Sequence, residues 1–359
     1  LQGRPTGTGR YLRNLLRRWR ETGDRIVLYF DGPAPADPTL QHPNLTSREV
    51  GDGPGRGVVW QERYLPAAAR RDHLDVFFSP AYTCPLSLSL PRVTAVHDLS
   101  FFSHPQDFRA VDALRRRLLT ALSVKASRGV LACSNFTRRE LMGRFPAAAD
   151  RVTHVPLGPD DDLPAPPPRD EARRRLGLRG PFVIAVGAVL NRRCAPELLR
   201  AVARLAPRHP GLVLDLVGEN RTHPRLDLPG LVTALGLDDR VRLSGYVGEA
   251  GLADRYAAAD AAVSLSEYEG FGLPALEAAA RGVPLVVGEA PSLGEIFAPA
   301  ALLVPPRDES AVARALDHIF TDPLLRVRLS AAGRALAGRY SWDRTATLTR
   351  DVLLQAAGR

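Results

Sequence analysis

Short β-branched runs alternate with longer amphipathic ones almost from end to end of this chain, and that alternation limits its architecture more than any other feature. In the first half, strand-like runs at Arg25–Phe30, Leu74–Phe78, Arg92–His97, Gly129–Cys133 and Arg151–Val155 are separated by helical patterns, clearest at Arg109–Ala126 and Asn135–Phe145. The second half predicts strands at Phe182–Gly187, Leu212–Val217, Val241–Leu243, Ala261–Leu265 and Pro284–Val287. Helices are expected there at Pro196–Leu205, Leu252–Ala258, Pro274–Arg281 and Ala311–Phe320. Such alternation is the signature of parallel α/β sheets. With 45% apolar residues, the chain carries enough core to exclude a disordered or fibrous reading.

Each half thus reads as a Rossmann-like sheet, and the boundary between them is visible. Residues 158–168 (GPDDDLPAPPP) combine acidic repulsion with proline stiffness, the composition of a semi-rigid linker. The expected division is an N-terminal domain over 1–158, a linker over 159–170, a C-terminal domain over 171–340 and a last helix over 341–359. The segments Pro323–Gly338 and Trp342–Ala357 read as helices able to pack back across the junction. Two such sheets in tandem imply a cleft at the carboxyl ends of their strands, where ligands of this architecture bind. Gly7-Thr8-Gly9 opens a helix at Arg10, yet a phosphate-binding turn should follow a strand. A short apolar strand is therefore expected upstream of Gly7, in a natural protein that begins before Leu1.

Charge divides at the same boundary. Up to Gly158 there are 23 Arg/Lys against 14 Asp/Glu, and from Pro159 onward 25 against 25, so the whole net +9 belongs to the first half. A basic surface attracts acidic lipid, a phosphorylated acceptor or nucleic acid; an arginine-rich solvated surface explains it equally. Lys125 is the only lysine, a compositional bias that carries no functional weight. Nucleic acid is the weakest partner, because the cations fall on helix patterns such as Arg115–Arg117, without zinc spacing or RNA-binding aromatics. Cys84, Cys133 and Cys194 offer neither a disulfide framework nor metal-type pairing, and Cys84 and Cys133 read as core. The longest apolar stretch, Pro181–Leu190, falls well short of the ~20 residues of a membrane helix, and nothing in Leu1–Arg20 has signal-peptide character. A cytoplasmic protein, peripheral to the inner face of the membrane, is the expectation.

The sharpest local signal is Ser266–Glu277 (SEYEGFGLPALE), which follows a predicted strand and enters a predicted helix. Pro274 suits a first helical turn, where its missing N–H costs nothing. Gly270 and Gly272 allow the backbone close to a ligand, and the helix start presents free N–H groups to an anion. Glu269 on the loop and Glu277 one turn into the helix suit neutral hydroxyls, such as those of a sugar and a ribose, rather than phosphate. Two solvated glutamates favoured by the helix dipole would explain the acids alone, but not with these glycines and this proline. His97 ends a predicted strand beside Asp98, where it could position a sugar hydroxyl or assist a proton transfer; a structural hydrogen-bonding role is its alternative. Gly7 and Gly9 read as a phosphate-binding loop.

Glu269 and Glu277, separated by seven residues within EGFGLPALE and followed by RGVP, resemble the paired-glutamate motif of glycosyltransferase family 4. Gly7–Tyr11, Val96–Ser100, Ala132–Thr137, Val155–Gly158, Val186-Gly187 with Arg192-Arg193, Gly245–Val247 and Tyr340–Asp343 extend the likeness from residue 7 to about 350. The spelling is closest to bacterial mannosyltransferase-like members. The resemblance implies a GT-B fold, α/β with two Rossmann-like domains facing a central cleft. It implies that Glu277 holds the ribose of a nucleotide-sugar and that Glu269 contacts the sugar near its anomeric carbon. Arg192 and Arg193 would stand for the family's basic pair on the donor diphosphate, and Val247, Phe271 and Leu273 would join the donor site with Gly7, Gly9, Gly270 and Gly272. His97 gains an active-site role. Fixed cations stabilising the leaving group make a metal unnecessary. Arg193 stands where the family usually has Lys, and Cys194 where Asn or Gly is usual.

The function so implied is a retaining transferase moving a hexose, of mannose or glucose type, from a nucleotide-sugar (GDP-mannose or a UDP-hexose) to a carbohydrate or lipid-linked acceptor, in polysaccharide assembly. No cofactor is expected beyond the donor substrate. The donor would bind the C-terminal domain and the acceptor the basic N-terminal one. The alternatives are a sugar-nucleotide epimerase of the same architecture and a nucleotide-sugar-binding protein without catalysis.

Overall fold

A computed structural model describes residues 7–51, 57–160 and 164–359 of the chain. The position of the strand expected upstream of Gly7 and residues 161–163 of the expected linker lie outside them. In chain order the first part runs α1 (Gly7–Trp19), β1 (Ile26–Phe30), β2 (Leu45–Glu49), α2 (Leu65–Arg71), β3 (Phe77–Ser79), β4 (Arg92–Val96), α3 (Ser100–Ser103), α4 (Ala110–Ala126), β5 (Gly129–Ala132), α5 (Asn135–Arg144) and β6 (Val152–His154). It continues with α6 (Arg169–Arg175), β7 (Phe182–Val186), α7 (Ala195–Leu205), β8 (Val213–Val217), α8 (Leu228–Ala234), β9 (Val241–Gly245), α9 (Glu249–Ala258) and β10 (Ala261–Ser264). The last elements are α10 (Leu273–Ala280), β11 (Leu285–Gly288), α11 (Pro291–Phe297), β12 (Ala301–Val304), α12 (Glu309–Thr321), α13 (Pro323–Ala337) and α14 (Trp342–Ala357).

These elements form two compact units. The first comprises residues up to Leu99, Leu114–Leu157 and Ser341–Arg359; the second comprises Ser100–Ala113 and Gly158–Tyr340. The segment Ser100–Ala113, placed by sequence within 1–158, thus belongs to the second unit.

The first unit holds a four-stranded parallel sheet in the order β3-β4-β5-β6 and a separate parallel pair, β1-β2. Strands β4 and β5 are apolar nearly throughout and fully buried over Val93–Val96 and Gly129–Ala132, as expected of parallel strands covered on both faces. Helix α14 packs onto α1 through Trp342, which is 2% exposed and lies 6.1 Å ring to ring from Tyr11. Trp19 Nε1 donates to the Ala346 carbonyl at 3.1 Å, Thr345 Oγ1 donates to the Pro156 carbonyl at 2.6 Å, and Arg350 pairs with Asp24 at 2.6 Å. The C-terminal helix is therefore an integral layer of the first unit.

The second unit is built on a six-stranded parallel sheet in the order β12-β11-β10-β7-β8-β9. Its core gathers Val183, Leu198, Leu214, Val263, Val286 and Leu316, each at most 5% exposed. Removing any one large member costs about 2–5 kcal/mol through lost transfer energy and the cavity left behind. Strand order reverses beside β7, which has the earlier-running β8 on one side and β10 on the other. Sheets of this kind bind ligands outside the carboxyl ends of the strands at such a reversal.

Two strands, β2 and β12, were not expected from the pattern, and each takes its place by pairing with an already apolar neighbour, β1 and β11. The helix expected at Arg10 begins three residues earlier, so Gly7 and Gly9 form the first turn of α1 rather than a loop.

Candidate functional site

In the second unit, the carboxyl ends of β7 and β10 open into a pocket lined by Ala185–Val189, Arg193, Ser264–Ser266, Glu269, Gly272 and Pro274. Gly187 leaves β7 with φ 117°. A Cβ there would meet Arg193 Nη1 at 2.2 Å, so the missing side chain is what lets the guanidinium lie across the strand end. Gly272 caps α10 with φ 92°, and a Cβ there would strike Leu293 Cδ2 at 2.6 Å. Pro274 stands in the first turn as its fixed φ favours, and no side chain caps this helix start. The N–H groups of the first turn are thereby left to a ligand.

Two of the expected residues meet directly. Arg193 Nη2 donates to both Glu269 oxygens, at 3.0 and 3.2 Å, and its Nη1 donates to the Ala188 carbonyl at 3.1 Å. Ser266 Oγ donates to Glu269 Oε2 at 3.1 Å, and Ser292 Oγ donates to the Glu269 carbonyl. Glu269 is thus held at both its side chain and its backbone. The two serines were not singled out from sequence, and Ser292, 23 residues further on, had no local signal to find it.

Arg192 lies in the middle of the 3-10 turn Asn191–Arg193 and is only 9% exposed. Its Nη1 is 3.6 Å from Asp107 Oδ2, a carboxylate on the Ser100–Ala113 segment with a 6% exposed side chain. The Nε atoms of Arg192 and Arg193 and Asp107 Oδ2 are all buried without a hydrogen-bond partner. Unsatisfied buried donors are costly, and two of them on adjacent arginines fit an anion. Cys194 follows in the left-handed region, φ 50°. That backbone favours Gly or Asn, the residues usual there in family 4, and is strained for Cys. Burial, followed by the nearby Glu267 and Glu197 carboxylates, pushes its thiol up to about 12, away from the thiolate form that a nucleophile needs.

The remaining expected residues of this unit are placed differently from one another. Glu277 sits on α10 at 2% exposure, where Tyr256 Oη donates to its Oε2 at 3.4 Å. It does not line the pocket. Phe271 is 4% exposed and packs edge-on against Tyr340 at 5.6 Å, so its ring is core. Gly270 is buried beside it, and Leu273 is half-buried at the start of α10. Val247 stands half-buried on the turn between β9 and α9.

In the first unit, His97 follows β4. Its Nε2 lies 2.8 Å from the Pro80 carbonyl, which can only accept, so Nε2 carries the hydrogen and Nδ1 is the acceptor. Tyr11 and Tyr82 rings meet the imidazole edge-on at 4.9 and 5.9 Å. Burial holds its pKa below the usual range, against the Pro80 hydrogen bond and the Asp98 charge; His97 is neutral at pH 7. Asp98 accepts from Tyr82 Oη at 3.1 Å. Gly9 is buried and Gly7 exposed in the first turn of α1, the helix that supplies Tyr11.

The sequence signature described as Glycosyltransferase Family 4 matches residues 5–163, and that described as Glycosyl transferases group 1 matches residues 168–336. The chain is 30% identical over 298 residues to the O-antigen chain mannosyltransferase B of Escherichia coli, covering 79% of this chain and 75% of that one. It is 34% identical over 232 residues to the D-inositol 3-phosphate glycosyltransferase of Saccharomonospora viridis, covering 60% of this chain and 53% of that one. It therefore spans about half the length of the latter relative. Among solved structures, the Anabaena protein HepE in complex with UDP-glucose superposes with a TM-score of 0.79 at 19% identity, covering 100% of this chain and 98% of that one. That likeness establishes the two-domain GT-B fold.

Proposed function

The chain belongs to glycosyltransferase family 4, and on that premise we propose that it is a retaining, metal-independent hexosyltransferase. Its donor is a nucleotide-sugar, with GDP-mannose favoured over a UDP-hexose by the similarity to a mannosyltransferase. The observation that carries the reading is the pairing of Arg193 with Glu269 beside the uncapped start of α10.

Cleaving the bond between the anomeric carbon and the diphosphate builds negative charge on the leaving group. Arg193 and Arg192, each with an orphaned Nε, and the first-turn N–H groups of α10 are fixed positive groups able to take up that charge. Donors set in place before the reaction need no reorganisation as charge develops. Glu269, tied down by Ser266 and Ser292, presents an acceptor for hydroxyls of the reacting sugar. Glu277 and its partner Tyr256 offer acceptor and donor groups to a ribose diol only if the ligand reaches past the pocket lining. In the first unit, the neutral Nδ1 of His97 accepts from a sugar hydroxyl. The acceptor, a carbohydrate or lipid-linked carbohydrate, is assigned to this basic unit, at the cytoplasmic face of the membrane.

Incubating the protein with labelled GDP-mannose, UDP-glucose and related donors, with acceptor glycans and excess chelator, tests the whole reading. The expected result is transfer, undiminished by chelator, with the donor's anomeric configuration kept in the product by NMR. Epimerised donor, inverted product or loss of activity on chelation would each refute the corresponding part.

A further inference from the structure

Two short stretches of the second unit hold buried side-chain atoms that have no hydrogen-bond partner among the described residues. His104 Nδ1 and Asp107 Oδ2 come from the Ser100–Ala113 segment, and Arg192 Nε and Arg193 Nε from the turn after β7. Pro105–Asp107 is a 3-10 turn with His104 as its N-cap, and residues three apart in such a turn project to one side. The contacts agree. The His104 ring lies 5.3 Å from that of Tyr268, and Asp107 Oδ2 lies 3.6 Å from Arg192 Nη1. The Glu267 N–H donates to the Arg192 carbonyl at 2.8 Å, which ties the arginine turn to the loop that carries Tyr268 and Glu269. A buried polar atom left unpaired is costly, and several in one neighbourhood call for a common ligand.

Their chemistry narrows that ligand. The arginine Nε atoms only donate, a carboxylate accepts, and a neutral imidazole nitrogen does either according to its tautomer. Phosphate alone satisfies the arginines but is repelled by Asp107, and an apolar group satisfies none of the four atoms. A ligand that carries hydroxyls next to a phosphate answers all of them, as the glycosyl phosphate end of a nucleotide-sugar does. We propose that His104 and Asp107 form a subsite that reads hydroxyls of the transferred hexose, and so help to select which sugar is accepted. The subsite rests on the glycosyl-transfer reading, in which Glu269 faces the same sugar. At 3.6 Å the contact with Arg192 is one of charge rather than a hydrogen bond, so Asp107 Oδ2 keeps its capacity to accept from a hydroxyl. His104, set on the Tyr268 ring, offers Nδ1 beside it.

The test is calorimetric titration of the whole protein with GDP, GDP-mannose, UDP and UDP-glucose, and with each monodeoxy form of the sugar in whichever donor binds. His104→Phe keeps a ring against Tyr268, and Asp107→Asn keeps the size of the side chain. Each should weaken the nucleotide-sugar about tenfold while leaving the free nucleoside diphosphate no more than about twofold weaker. At least one deoxy donor should bind the parent about tenfold more weakly than the full sugar. The same deoxy donor should bind one of the variants as well as the full sugar does, because the lost hydroxyl and the lost partner are then one interaction. Residues that merely support the fold would weaken nucleotide and nucleotide-sugar alike and leave the ranking of the deoxy donors unchanged. That outcome overturns the subsite, as do variants that bind every donor like the parent. His104→Phe decides alone if Asp107→Asn unfolds below the assay temperature. A parent that binds no nucleotide-sugar overturns the glycosyl-transfer reading and the subsite with it, whereas a parent that binds one, with variants of unchanged sugar ranking, removes the subsite only.

Discussion

The second unit keeps its candidate residues as charged pairs, Arg193 with Glu269 and Arg192 with Asp107. The first unit offers a neutral imidazole between two tyrosine rings, its Nε2 hydrogen spent on a backbone carbonyl. The difference matches the two halves of the proposed reaction. A departing diphosphate gains charge and is helped by fixed cations in a partly dry site. A sugar hydroxyl gains nothing from a cation and is oriented by a neutral acceptor. Pairing has a second effect in the second unit: each guanidinium is already desolvated and aimed before any ligand arrives, at the expense of a carboxylate that must remain satisfied.

The contrast breaks first at Glu269. Glu269→Gln should lower kcat on the order of 10³-fold, whereas Glu277→Gln should raise the donor KM by about tenfold with a smaller change in kcat. Near-normal kinetics for both would remove the paired glutamates from the site.

Arg193→Ala should cost about 10²–10³ in kcat with little change in thermal midpoint. Arg192→Ala should also destabilise the fold by about 1–3 kcal/mol, because it strands the Asp107 carboxylate, whose side chain is 6% exposed. Adding Asp107→Asn to Arg192→Ala should restore most of that stability but none of the activity. Arginine variants with equal and unaltered stability would show that Asp107 is no partner of Arg192.

His97 sharpens the comparison by pH. Its folded pKa lies below the usual 6.5, so the unfolded chain takes up the proton first as pH falls. The stability it contributes is present above about 6.5 and is lost as pH drops through the folded value. His97→Gln should flatten this dependence below about pH 6.5 in thermal melts, and should lower kcat roughly tenfold or more. A parent and variant that lose stability in parallel would show that another group titrates there.

The smallest effect is expected at Arg350, whose hydrogen bond holds Asp24 below the usual carboxylate range. Both side chains are 32% exposed, so Arg350→Ala should cost only about 0.5–1 kcal/mol. Asp24 supports stability above its usual 3.8 and ceases to as pH falls through its lower folded value. Acid melts of the variant should therefore converge on those of the parent.

Local chemistry in the sequence determined the parallel α/β plan and most strand and helix positions, since periodicity and turn residues act over a few neighbours. It also determined the loop-to-helix form of Ser266–Glu277, because Gly272 and Pro274 dictate that backbone wherever it is placed. Only tertiary structure decided which groups meet. Arg193 finds Glu269 76 residues away, and Arg350 finds Asp24 326 residues away. Asp107 reaches Arg192 because the Ser100–Ala113 segment packs with the second unit. The strand character of β2, with mostly polar LTSRE, exists only through its pairing with β1. Helix α4 turns Leu114 and Leu118 outward and buries Thr120 and Ser123, since helical spacing says which residues share a face but not which face the core will take. Such choices are made by packing over the whole chain, where burial and long-range pairing outweigh what any short window of residues prefers.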